Sequence, residues 1–247
     1  MRKISSKFVA LVCAIFICPL YTHADSLEYW NPQSYPSLFP GAPFHAFNTS
    51  LQPINLSIKE QQLFIKIVRL AYCHYENIDI NNQESLVKKL SDCARYLGNA
   101  SEYVAEAQFI GKEAGEIVNA VKFVSHIQND GYGFSATLVR IKDTGQAVLI
   151  IRGVELAPSA KGGDKERDMA AIRQIKTAGM AFGQISSADN YIKKLLNDGL
   201  IKKDEKIVIA GTDLGVHIAL SINEAATSLV DKIISFDGIG YQRRYNP

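Results

Sequence analysis

Apolar positions follow two different rhythms along this chain, and the change between them divides it. Leu63, Phe64, Ile67, Val68 and Ala71 recur at the three- and four-residue spacing of a helix with one buried face. Just before them, Ser57-Ile58-Lys59-Glu60 has the form of a capping box, in which hydroxyl and carboxylate each accept a backbone N–H at a helix start. Leu86, Val87, Leu90, Ala94 and Leu97 repeat the rhythm and predict a second helix ended by Gly98. A third helical region is expected from about Ser101 to His126. After Gly133 the pattern becomes strand-like. Phe134–Ile141 and Ala147–Ile151 are β-rich runs joined by Lys142-Asp143-Thr144-Gly145, a hairpin turn. A polar loop, Ala157–Arg167, leads to a helix around Asp168–Ala181, and a further helix over Ser187–Asn197 is stopped by Gly199. Lys206–Ala210 is a buried-type strand, Leu214–Leu229 an apolar helix and Lys232–Phe236 a last strand. Strands alternating with helices predict an α/β fold with a mainly parallel sheet covered on both faces.

The ends extend this picture. Arg2, Lys3 and Lys7 precede an apolar run from Phe8 to Leu20, and Thr22-His23-Ala24 places small residues where a signal peptidase reads. The run is too short to span a hydrocarbon core of roughly 30 Å, so it reads as a leader cleaved near Ala24, and no later stretch is apolar enough to be an integral membrane segment. Residues 25–55 lack periodicity and carry Pro32, Pro36, Pro40, Pro43 and Pro53, the pattern of an extended arm. The expected organisation is a leader over 1–24, an arm over 25–55, a helical region over 56–127 and an α/β core over 128–247.

Export makes the protein secreted or periplasmic and changes how its cysteines read. Cys13 and Cys18 leave with the leader, so Cys73 and Cys93 remain, and in an oxidising compartment they are expected to pair. The bridge closes a loop of about 20 residues and ties the first two helices together. Two cysteines with only His74 nearby are too few ligands for a metal, and nothing in the sequence calls for a cofactor. Net charge is only +2 with Lys and Arg spread along the chain, which argues against nucleic acid as a partner.

One turn carries candidate chemistry. In Ile207-Val208-Ile209-Ala210-Gly211-Thr212-Asp213-Leu214-Gly215-Val216-His217 a strand breaks directly into a helix, with glycines two before and two after the central residue. That is the layout of a nucleophile elbow, where the backbone passes close to itself and only glycine fits. Two further segments occur in matching order. Ala147–Ile151 runs into Arg152-Gly153-Val154, and Gly179-Met180-Ala181-Phe182-Gly183 follows a helix end. With Ile233-Ile234-Ser235-Phe236-Asp237-Gly238-Ile239-Gly240 after the elbow, roughly residues 130–240 resemble the class 3 lipases and related phospholipases and cutinase-like esterases.

The resemblance implies an α/β-hydrolase-like core, a lipid or ester-like small-molecule ligand, and backbone oxyanion donors at Leu214 and Val154. The departures from it bear on catalysis. Asp213 stands where the family has its nucleophilic serine, Thr212 where it often has histidine, and Val154 where it has Ser or Thr. The family's acid and histidine come from later loops, and Tyr241–Pro247 contain neither, so the core reads as incomplete at its C-terminus. A carboxylate nucleophile suits alkyl halides or epoxides. Against a carboxylic ester it is the better leaving group, and the adduct collapses back. His217, four residues into the helix, reads as a packed histidine hydrogen-bonded to backbone, and His45, His74 and His126 as surface or core histidines. Asp168, Asp189 and Asp237 are expected in capping or solvated roles, Gly162-Gly163 as a flexible linker and Tyr241–Tyr245 as a frayed tail. Three readings stay open: a catalytically impaired lipase-lineage protein, an active hydrolase using Asp213 on a non-ester substrate, and a non-catalytic lipid- or protein-binding module.

Overall fold

Ser57 starts the first helix as its sequence dictates. Its hydroxyl accepts the Glu60 N–H at 3.3 Å, and the Glu60 carboxylate accepts the Ser57 N–H at 2.9 Å. The computed structural model describes residues 44–48, 53–93, 95–96, 103–104, 109–155, 164–225 and 228–236. The expected leader over 1–24, most of the expected arm, Gly162-Gly163, Asp237 and Tyr241–Tyr245 lie outside them. Helix α1 (Ile58–Arg69) runs into a tighter turn, Leu70–Tyr72, and α2 (Gln83–Ser91) is capped by the Asn82 side chain, which accepts the Ser85 N–H. Cys73 and Cys93 form the expected disulfide between the ends of these two helices, and both sulfurs are buried.

Two helical expectations are corrected. The second helix stops at Ser91, short of Gly98, because the Leu90 carbonyl receives the N–H groups of Cys93 and Phe109. Arg95–Tyr96 and Tyr103–Val104 then form a small antiparallel pair. The third helix, α3, covers only Glu113–Ala120, and Val121–Ile127 is a strand. Its first residues alternate, with Val121 and Phe123 buried and Lys122 exposed, a period of two that a helix cannot satisfy. The region over 56–127 is therefore not wholly helical.

The main sheet has six strands: β1 (Phe44–Asn48), β4 (Val121–Ile127), β5 (Ala136–Ile141), β6 (Ala147–Ile151), β7 (Ile207–Thr212) and β8 (Val230–Phe236), with β2 and β3 being the small pair at Arg95–Tyr96 and Tyr103–Val104. Their order is β1-β8-β7-β6-β5-β4. Only β6–β7 and β7–β8 are parallel, so the sheet is mixed rather than mainly parallel. The cause is connection length. The four-residue turn at Lys142–Gly145 can only fold β6 back antiparallel to β5, while the crossovers that contain α4 (Lys165–Ala178), α5 (Phe182–Asn197) and α6 (Asp213–Ala225) allow parallel return. Residues 44–48, inside the expected arm, pair with β8 along one edge.

Alternation along the central strands divides the apolar core. Val148 and Ile150 of β6, with Val208 and Ala210 of β7, face Phe64, Ile67, Leu86 and Leu90 of the N-terminal helices. Leu149 and Ile151, with Ile207 and Ile209, face Ala171, Ala188, Ile192, Leu214 and Ile218 of the later helices. The result is an α/β fold with helices on both sides of the sheet. Among the described residues no helix is long and apolar enough to cross a membrane.

The disulfide closes a loop of 20 residues between two buried helix ends. Replacing both cysteines (Cys73→Ala with Cys93→Ala) is expected to lower unfolding free energy by about 3 kcal/mol, measured by urea denaturation. An unchanged midpoint would show that helix packing alone fixes this region.

Candidate functional site

Strand β7 is buried along its whole length and passes into α6 with no intervening loop. The reversal falls on Asp213, whose φ of 46° lies in the left-handed region. A side chain there is strained by about 1–2 kcal/mol, least for Asp and Asn, whose short polar groups bond locally. The backbone on either side is crowded. A Cβ on Gly211 would lie 2.9 Å from the Gly215 carbonyl carbon, and one on Gly215 would lie 2.5 Å from the Ile151 carbonyl oxygen. The first turn of α6 therefore rests directly on the end of β6, a spacing that only glycine permits.

The chain leaving β6 closes the site from the other side. Gly153 lies so near Thr212 that an added Cβ would come within 2.6 Å of the Thr212 carbonyl oxygen. Tyr72, from the tight turn after α1, reaches the same place, and its hydroxyl shares a hydrogen bond of 2.5 Å with the Thr212 hydroxyl. Asp213, Leu214 and Val154 all have no exposed surface. The residues singled out from the sequence thus do meet at one place, Asp213 with Leu214, Gly211 and Gly215 on the turn and Val154 alongside it. Asp213 is enclosed.

His217 turns to another element. Its Nε2 accepts the backbone N–H of Ala181, the residue before α5, at 3.4 Å. Burial lowers the imidazole to about 4, so the ring is neutral at physiological pH. This matches the packed, backbone-bonded histidine expected from the sequence. Gly179 ends α4 in the left-handed region, φ 78°, and lets the chain turn toward that contact.

The sequence reading passed over the polar cluster beside the turn. Arg152 follows five buried strand residues and is itself buried. One of its terminal nitrogens donates to Glu155 at 3.0 Å and to Asn129, and the other to Asp164 at 2.9 Å and the Gly133 carbonyl at 3.0 Å. Burial pulls the guanidinium down, and the charges of Asp168, Glu155 and Asp164 more than offset it. Asp168 was expected in a capping or solvated role, and that is corrected. It is 1% exposed and accepts the Glu155 N–H at 2.8 Å and the Gln184 side-chain amide at 3.0 Å. Burial pushes its carboxyl up to about 7, against the opposing pull of Arg152. Asp189 is exposed and pairs with Lys193, as a solvated helix residue should. The available signal was Arg152 itself, a cation ending an apolar strand, which must find carboxylates.

The cluster continues to the N-terminal region. Glu155 accepts from His74 Nε2 at 2.9 Å, and the other ring nitrogen faces Glu76 at 3.8 Å. Burial works to lower the His74 imidazole, but its bonds to Glu155 and Glu76 prevail and lift it to about 9. Burial likewise acts to raise Glu76, and His126 and His74 hold it far below the usual carboxylate range instead.

The neutral state of the half-buried His217 makes stability depend on pH. In the unfolded chain the ring takes up a proton below about 6.5, and in the fold only below about 4. Between these values the unfolded state binds more protons, so His217 lowers stability as pH falls through this window. His217→Gln keeps an acceptor and removes the proton. Urea unfolding at pH 7 and pH 4.5 should show a smaller acid loss for the variant, and equal losses would contradict the assignment. The chain matches no family model, no curated protein and no solved structure.

Proposed function

We propose that this chain is an exported protein of the lipase-type α/β-hydrolase lineage that no longer hydrolyses carboxylic esters and instead binds a lipid or ester-like small molecule. The observation that carries the reading is the strand-to-helix turn. Its backbone has what a nucleophile elbow needs, a left-handed central residue between glycines packed onto the neighbouring strand, but the central residue is an aspartate with no exposed surface. The sheet arrangement supports it, with the Arg-Gly strand β6 beside β7 and a parallel strand β8 beyond. The disulfide and the leader-like N-terminus support export.

Two physical arguments oppose ester turnover. A carboxylate adduct on an acyl carbon expels the carboxylate and returns to substrate. His217, on the same helix as Asp213, gives its Nε2 to a backbone amide and is held neutral by burial. The enclosure of Asp213 also disfavours the reading in which it attacks an alkyl halide or epoxide, because in-line attack needs an open approach.

The test is hydrolysis of short- and long-chain p-nitrophenyl esters by the purified protein, beside Asp213→Asn. Both are expected to stay at the buffer rate. Turnover by the wild type that Asp213→Asn abolishes would overturn the proposal and make Asp213 the nucleophile.

A further inference from the structure

His74 directly follows Cys73, whose buried bridge to Cys93 fixes the start of its turn. His74 and Asn77 both take left-handed backbone, φ 41° and 66°, a conformation that side chains disfavour. Tyr75 pins the same turn. Its hydroxyl donates to the Leu70 carbonyl at 2.9 Å, and its ring packs edge-on against Phe123 and His126 of β4. Held this way, the His74 ring stands between two carboxylates. Nε2 lies 2.9 Å from Glu155 Oε1, on the loop after β6, and Nδ1 lies 3.8 Å from Glu76 Oε1, on its own turn.

The two carboxylates differ in what else they have. The Glu155 side chain has no exposed surface and accepts from Arg152 at 3.0 Å. Arg152 is shared, since Asp164 lies 2.9 Å from it and Asp168 3.8 Å. Arg167 pairs with Asp164 only, so one buried guanidinium serves three buried carboxylates. A charged His74 supplies the second cation that Glu155 needs to stay ionised without water. Glu76 is 27% exposed, and His126 of β4 faces the same Glu76 oxygen at 4.0 Å. Burial works against charge on the His74 ring and Arg152 adds to that, but the bonds to Glu155 and Glu76 outweigh both and hold its proton up to about 9. Tyr75, buried beside it, keeps its proton well beyond that range.

We infer that the His74 imidazolium is a proton-operated clasp, which joins the disulfide turn to the loop after β6 and releases in alkaline medium. Protonated, the ring donates to Glu155 and presents a second N–H to Glu76. Deprotonated, it has a single N–H to give. With that N–H kept on Nε2 for Glu155, Nδ1 turns a lone pair toward the Glu76 carboxylate, and attraction becomes repulsion. Glu76 then swings toward water, and Glu155 is left with Arg152 as its one cation. The loop concerned starts at Gly153, which packs on Thr212 next to Asp213, so releasing the clasp loosens one wall of the Asp213 turn. None of this depends on what that turn binds. In the unfolded chain the ring holds its proton only below about 6.5. Between that value and about 9 the folded state binds more protons. The stabilisation is therefore complete below the lower value and is lost as pH rises through the upper one.

A pH titration of the imidazole ring protons of the full chain by NMR tests this, with His74 assigned through its own backbone resonances. The His74 midpoint is expected at about 9. Glu76→Gln, on a partly exposed turn, should bring it toward neutrality by about one pH unit or more. Urea unfolding at pH 7 and pH 9.5 is the second readout. His74→Asn, which tolerates left-handed backbone, should lose less stability between these values than wild type, whereas a merely structural role would lower both by the same amount. A His74 midpoint near the ordinary histidine value, a midpoint unmoved by Glu76→Gln, or equal alkaline losses in wild type and His74→Asn would overturn the inference.

Discussion

The contact between Gly215 and the Ile151 carbonyl sets the geometry of the centre of this molecule. With a Cβ at position 215 the first turn of α6 would meet that oxygen at 2.5 Å, so the helix would have to lift from the end of β6. Because it does not, α6 starts with no loop, and Asp213 takes the left-handed conformation that reverses the chain. The same closeness presses Thr212 against Gly153 and within reach of Tyr72. A helix and two strands of distant sequence position are thus fixed to one another by backbone proximity, with side chains added around it.

Two other ties hold the N-terminal region to this centre. The apolar tie is the face of the sheet formed by Val148, Ile150, Val208 and Ala210, which the first helices cover. The polar tie is a chain of alternating charges, from Glu76 through His74, Glu155 and Arg152 to Asp164, most of it buried. Removing one member of such a chain strands its neighbour without water, so each depends on the others. His74 stands next to the disulfide, which means the bridge that closes the helical region also positions the residue that joins it to the loop after β6.

Much of this was legible in the amino-acid sequence where the signal is local. The capping box at Ser57, the hairpin turn at Lys142–Gly145, the direct passage from β7 into α6 and the Cys73–Cys93 pair each follow from a few neighbouring residues. What was misread depends on distant partners. Val121–Ile127 is a strand because β5 lies beside it, and Ser91 ends a helix because Phe109 takes the Leu90 carbonyl. Asp168 looked like an ordinary first-turn acid until Arg152 and Gln184 were placed against it. The convergence of His74, Glu76 and His126 likewise has no local signature, since it is created by a turn packing on a strand some fifty residues later.

Substitution of Gly215 by alanine tests the central claim most directly. If backbone contact at this point fixes the turn, Gly215→Ala should lower unfolding free energy by about 1–3 kcal/mol in urea, the usual effect of forcing an extra carbon into a packed site. An exposed glycine outside the turn, such as Gly131, gives the reference for adding a methyl group where nothing lies within 4 Å. A Gly215→Ala protein as stable as Gly131→Ala would mean that α6 does not rest on β6, and the account of this site would fail.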